Sequence, residues 1–177
     1  ARNALVRKAL EEFGDEMTHI LFIDADMVFG GVDYLRLALA AEPIVLGLAV
    51  KRNIADHPPA YMPLSGVADN YEPLISALTS DPAPPIPIQA GVSPRLFLAL
   101  TTAGMAFTLV RKDVFDEVGE SNEATQQMEW YWTEHIVDED SHRERNLSED
   151  YSFCLRAKER GFEVVLHPAV QLRHLTT

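Results

Sequence analysis

Apolar positions along this chain fall first into a helical rhythm and then into a strand rhythm. Between Arg2 and Phe13, the residues Leu5, Val6, Ala9, Leu10 and Phe13 share one face, which predicts an amphipathic helix closed by Gly14. His19 to Asp24 is a short apolar run, the pattern of a strand buried on both faces. A second helix is predicted from Val32 to Ala41, and Pro43 then leads into another buried strand from Ile44 to Val50. Helix, strand, helix, strand in this order predicts an α/β domain with a mostly parallel sheet flanked by helices.

The texture changes over residues 54–94, where proline is dense and periodicity weak. An irregular segment with short edge strands, packed on the domain, is expected there. Strand character returns from Arg95 to Val110 around Gly104, and Lys112 to Val118 reads as a short helix capped by Gly119. Residues 121–148 are polar and acidic, with Trp130, Tyr131 and Trp132 embedded, and predict a mobile surface loop or lid. Ser148 is placed to cap a helix from Glu149 to Arg160 that ends at Gly161. A strand from Phe162 to Leu166 and an extended tail from Pro168 to His174 complete the chain, which contains no internal repeat.

Composition narrows the function classes. The 177 residues fit a single domain, and 47% hydrophobic with 24% charged residues is ordinary for a globular protein. The formal net charge is -12, from 27 acidic and 15 basic residues. A chain this acidic is not expected to bind nucleic acid, which relies on lysine and arginine. Anionic small molecules also need a cation or a local basic cluster to approach it. The single cysteine, Cys154, excludes an internal disulfide framework and points to a reducing, cytoplasmic setting. The longest uncharged run, Leu96 to Val110, is interrupted by Thr101, Thr102 and Gly104 and is shorter than the roughly 20 apolar residues of a span, so no transmembrane segment is expected. The sequence opens at Ala1 directly in a helical pattern, so further residues are expected upstream.

The sharpest candidate chemistry is Ile20-Leu21-Phe22-Ile23-Asp24-Ala25-Asp26. An apolar strand delivers two carboxylates to its carboxyl end, where open α/β sheets bind ligands. Asp24 and Asp26 can share a hard cation, Mg2+ or Mn2+, which would also grip phosphates; the plain alternative is a solvated turn. Glu149 and Asp150 open a helix, where the helix dipole alone favours acidic residues; the chemical reading makes one of them a general base for an acceptor hydroxyl. His174 becomes a metal ligand only if the tail folds back onto Asp24 and Asp26, and is otherwise incidental. Arg2, Asn3, Lys51 and Arg52 are candidates for phosphate or base contacts. Trp130, Tyr131 and Trp132 offer faces for an acceptor sugar, or else pack into the core.

Taken in order, four stretches resemble the GT-A glycosyltransferases, particularly family-2-like members and related viral or phage-type sugar transferases. They are Ala1 to Leu5; Leu21 to Asp26, in the place of the Asp-x-Asp motif; Thr102 to Phe107 followed by Arg111 to Phe115; and Ser148 to Phe153 with Arg156, Gly161, Pro168 and His174. The resemblance implies a Rossmann-like GT-A domain spanning 1–177. Nothing here matches the strand and loop with which that family normally begins, so the implied domain lacks its N-terminal nucleotide-binding strands. It further implies that Asp24, Asp26 and His174 hold the metal and that Asp150 is the catalytic base of an inverting enzyme. The segment around Gly104 would then lie on the acceptor side, although Thr-Ala-Gly-Met-Ala-Phe lacks the second glycine that relatives often carry.

The implied activity is transfer of a sugar from a nucleotide-diphosphate donor to a hydroxyl of a glycan, lipid or protein acceptor. Two alternatives remain open at this level. Asp24-Ala25-Asp26-Met27-Val28 also fits a haloacid-dehalogenase-like phosphatase, with Asp24 as nucleophile and Asp26 as general acid. That class wants a late Gly-Asp-x-x-x-Asp motif, where this chain runs from Val164-Val165-Leu166 into His167-Pro168. The other alternative is a non-catalytic carbohydrate- or nucleotide-binding module.

Overall fold

A computed structural model of the chain describes residues 1–49, 98–99, 103–137 and 144–175. The proline-rich stretch 54–94, together with Lys51 and Arg52, lies outside the described residues.

The first helix, α1 (Arg2–Phe13), ends where Gly14 takes φ 40°, a conformation that glycine adopts without a Cβ penalty. Of its expected apolar face only Val6 is fully buried, while Leu5 and Phe13 stay exposed. A 3-10 turn at Gly14–Glu16 leads into β1 (His19–Ile23). Then come β2 (Met27–Val28), α2 (Gly31–Ala40), β3 (Ile44–Ala49), β4 (Leu98–Ala99), β5 (Phe107–Arg111) and α3 (Lys112–Val118). The chain closes with β6 (Glu120–Asn122), β7 (Gln127–Glu129), β8 (Glu134–Val137), β9 (Glu144–Leu147), α4 (Glu149–Glu159) and β10 (Val164–His174).

Six strands form one sheet in the order β1-β5-β3-β10-β2, with β4 also on β10. The fold is mixed α/β, but the expected mostly parallel sheet is corrected. Among the described strands only β3 and β10 pair in parallel, while β1 with β5, β3 with β5, β10 with β4 and β10 with β2 are antiparallel. The alternation of helices and strands did predict direction, since β1, β3 and β10 all point the same way. It could not show that β5 would be inserted between β1 and β3 in the opposite sense, because strand order is a long-range choice that local periodicity does not encode.

Both faces of the sheet are covered, as continuous apolar strands require. On one side Ile44, Leu46 and Leu48 of β3 meet Val6 of α1, Phe115 of α3 and Phe153 of α4. On the other, Val45 joins Leu37 of α2, Phe107 of β5 and Val170 and Leu172 of β10. The expected strand 162–166 and tail 168–174 are one strand with a register break between His167 and Gln171. Pro168 falls in that break, where a missing N–H removes no ladder bond.

Within residues 121–148, expected to be a surface loop, the described residues carry regular structure. From Glu120 onward there are two antiparallel ribbons, β6 with β7 and β8 with β9. Between the ribbons Trp130 and Tyr131 enter the core, where Tyr131 stacks on Phe153 with ring centroids 4.5 Å apart. Two-stranded ribbons anchored by a pair of aromatics need little apolar sequence of their own, so polarity alone misled. Cys154 is buried against Ala103, and burial pushes its thiol up to about 12. Among the described residues no helix is long and apolar enough to cross a membrane.

Gly47 sits where β3, β5 and β10 crowd together. A Cβ added there would lie 2.6 Å from a Val170 methyl and 3.0 Å from Leu172, and both neighbours are fully buried. Gly47→Ala should therefore destabilise the fold by about 1–3 kcal/mol in urea unfolding. No loss of stability would mean that Val170 and Leu172 yield without strain.

Candidate functional site

The carboxyl end of β1 is tied down on three sides. The Asp24 N–H donates to Ala106 at 2.8 Å, and the Met27 N–H returns to the Asp24 carbonyl at 3.0 Å, closing a tight turn. The backbone of β10 then runs antiparallel past that turn. His174 pairs with Met27, and the Leu175 N–H donates to the Asp26 carbonyl at 2.7 Å. The tail thus folds back onto the Asp24–Asp26 turn, the condition on which interest in His174 depended.

Helix α4 brings the second pair of carboxylates. Ser148 occupies its N-cap position without a side-chain cap, and its carbonyl accepts from both the N–H and the hydroxyl of Ser152. Asp150 is engaged outside its own helix: one carboxylate oxygen accepts from Arg2 at 2.6 Å, the other from the Met105 N–H at 3.1 Å. Burial pushes the Asp150 carboxyl above the usual carboxylate range, against the opposing pull of Arg2 and the Met105 N–H; Glu149 and Asp24 add to the rise. A carboxylate held this way is a stronger base than one in free solution.

Arg2 is the hub of the site. Its guanidinium lies 2.6 Å from Asp150, 3.3 Å from Glu149 and 3.5 Å from Asp24. The side chains of Asp24 and Glu149 are 49% and 46% exposed, against 16% for Asp150. The first two pairs are therefore surface ion pairs of about 0–1 kcal/mol each, and the contact with Asp150 dominates. Three stretches far apart in sequence meet on one cation.

Asn3 does structural work beside it. Its carbonyl oxygen accepts from the N–H groups of Trp130 and Tyr131 at 2.9 and 2.8 Å, and its amide donates to the Tyr131 carbonyl at 2.8 Å. Trp130 is buried with its indole N–H on the Phe115 carbonyl. Of the two tryptophans, Trp132 is therefore the one that reaches the cleft. Gly104 is partly buried between Ala103 and the Met105 that Asp150 holds. Lys51 and Arg52 lie outside the described residues.

The cleft has a volume of about 830 Å³. Ile20, Leu21, Phe22 and Ile23 of β1 and Leu5 and Ala9 of α1 form its apolar wall, while Arg2, Asn3, Asp24, Trp132, Thr133 and Glu149 form its polar end. Among the described residues β1 pairs only with β5, and four of its five residues line the cleft.

Among the described residues no group of three or more His, Cys, Asp or Glu side chains is placed to hold a metal ion. That does not conflict with a phosphate-bridging Mg2+ or Mn2+. Such ions use one or two carboxylates and take their remaining oxygens from water and phosphate. The half-exposed Asp24, two residues from Asp26 on a tight turn, supplies hard oxygen donors of the right kind.

Sequence reasoning did not single out Arg156 as a working residue. It is nearly buried, yet it pairs with Glu134, donates to the Trp130 carbonyl at 2.6 Å and lies 3.4 Å from the centre of the Trp132 ring. Burial pulls its guanidinium below the usual range, and Glu134 opposes that. One signal was present: Arg156 stands four residues after Ser152 and three after Phe153, on the inward face of α4.

No protein-family model matches the chain, and neither does any curated protein.

The site's electrostatics make a prediction that needs no substrate. Followed by carbon NMR, the Asp150 carboxyl should titrate above an ordinary aspartate. In Arg2→Gln it should move further up, because the largest opposing attraction is gone. A midpoint that stays put or falls would show that Arg2 does not govern Asp150.

Proposed function

We propose that this chain is a metal-dependent glycosyltransferase that moves a sugar from a nucleotide-diphosphate donor to an acceptor hydroxyl, with inversion. One observation carries the reading: Arg2, Asp24 and Glu149 line one cleft, and the Arg2 guanidinium that pairs with both carboxylates also pairs with Asp150. These residues come from separate stretches to which the resemblance assigns roles in such a reaction. The return of β10 to Met27 and Asp26 adds its support.

In this reading Asp24 and Asp26, with His174, would hold the cation, and the cation would supply charge neutralisation for the donor diphosphate. Arg2 supplies a second positive charge at the cleft in a chain of net charge -12. Asp150 takes the proton of the acceptor hydroxyl. The hydroxyl oxygen bonds to the anomeric carbon as the bond from that carbon to the phosphate oxygen breaks, and the electron pair leaves with the nucleoside diphosphate. The Met105 N–H and Arg2 fix both oxygens of Asp150, so the base is oriented before the acceptor arrives. Trp132 offers an aromatic face in the same cleft.

The test is calorimetric titration of UDP and GDP with and without manganese. Manganese-dependent binding should appear in the wild type and disappear in Asp26→Ala. Asp150→Asn should keep that binding and lose roughly 10²–10⁴-fold in transfer rate, the usual weight of a general base. Nucleotide binding that ignores manganese and Asp26 would sink the proposal. Turnover of simple phosphoesters lost in Asp24→Asn would favour the phosphatase alternative instead.

A further inference from the structure

Arg156 is a buried cation whose side-chain contacts all lead away from its own helix, one of them to a residue that lines the cleft. It pairs with Glu134 of β8, donates to the Trp130 carbonyl at 2.6 Å and stacks 3.4 Å from the centre of the Trp132 ring. Trp130 itself cannot move far, because Asn3 holds its N–H and Phe115 holds its indole. Among the described residues no hydrogen bond from the core holds Trp132, which is only partly buried and lines the cleft. Arg156 therefore connects this cleft aromatic to α4, the helix that carries Asp150.

We infer that Arg156 is a positioning residue: by stacking on Trp132 it fixes that ring as a platform on which a pyranose lies, within the cleft that Glu149 and Asp24 also line. A guanidinium suits this task because it is planar, stacks on an aromatic face and keeps in-plane donors for Glu134 and the Trp130 carbonyl. Lysine would retain the charge and lose the plane. An aromatic face held rigidly presents a large contact area to the C–H face of a sugar ring at little entropic cost. The choice of a sugar as occupant rests on the transferase reading.

The chain has two tryptophans, and Trp130 is buried at 3% exposure, so solvent-sensitive fluorescence reports on Trp132. The probes are methyl β-D-glucopyranoside, methyl β-D-galactopyranoside and methyl α-D-mannopyranoside, titrated into the full chain. At least one should shift the exposed emission component, and Trp132→Ala should abolish the response. Arg156→Lys should weaken the probe's apparent affinity about tenfold while manganese-dependent UDP or GDP binding stays as in the wild type. If Arg156→Lys does not fold, Glu134→Gln loosens Arg156 without removing it and should show a smaller weakening in the same direction. An undiminished sugar response in folded Arg156→Lys or in Glu134→Gln overturns the inference, as does silence of the wild type toward all three sugars. A sugar response without metal-dependent nucleotide binding overturns the transferase reading and leaves this one standing.

Discussion

Strand β5 is hydrogen-bonded along both edges, to β1 and to β3, and four of its five residues are buried. Asp24 and Asp150 are both held by the residues just before it. Because it runs against its neighbours, its amino end meets the carboxyl ends of β1 and β3. The residues just before it therefore arrive beside the Asp24 turn: Ala106 accepts the Asp24 N–H, and Met105 gives its own N–H to Asp150. A parallel strand in that place would carry this loop to the far end of the sheet. The antiparallel insertion is thus the constraint that assembles the site.

Charge is organised around the same point. In a chain with an excess of acid, gathering Asp24, Glu149 and Asp150 within reach of one another would be self-repelling. Arg2 offsets that repulsion by standing among all three. It does so asymmetrically, since only Asp150 is substantially removed from water. Desolvation raises the basicity of Asp150, and the cation limits the rise. The two effects leave a carboxylate that is oriented and more basic than a free one, without a buried unpaired charge.

Much of this was legible in the sequence, and the illegible parts share a cause. The bounds of α1 and α3, and α4 to within a residue, followed from periodicity and glycine positions, and β1 and β3 from short apolar runs. Asp24, Asp26, Glu149, Asp150 and Arg2 could be picked out as polar groups at element ends. Their convergence could not, because it depends on strand order. For Trp130 and Tyr131 the sequence left sugar contact and core packing open; they are core, with Asn3 and Phe115 meeting their backbone and indole polar groups. Arg156 stood within a matching stretch but was given no role, because an arginine on a helix is expected in solvent; its partners Glu134, Trp130 and Trp132 explain its burial.

The register break in β10 sets a length as well as a bend. Residues 168–170 have no partner in β3, and pairing resumes at Gln171. Three residues of extended chain measure roughly 10 Å. Without that slack taken up in the middle of the strand, the segment that lies beside Asp26 and Met27 would overshoot the turn by about two strand widths. The break thus acts as a spacer of fixed gauge between the core of the sheet and its chemical rim. A change of side chain there is a local matter of packing, but a change in residue number alters which part of the tail faces the carboxylates.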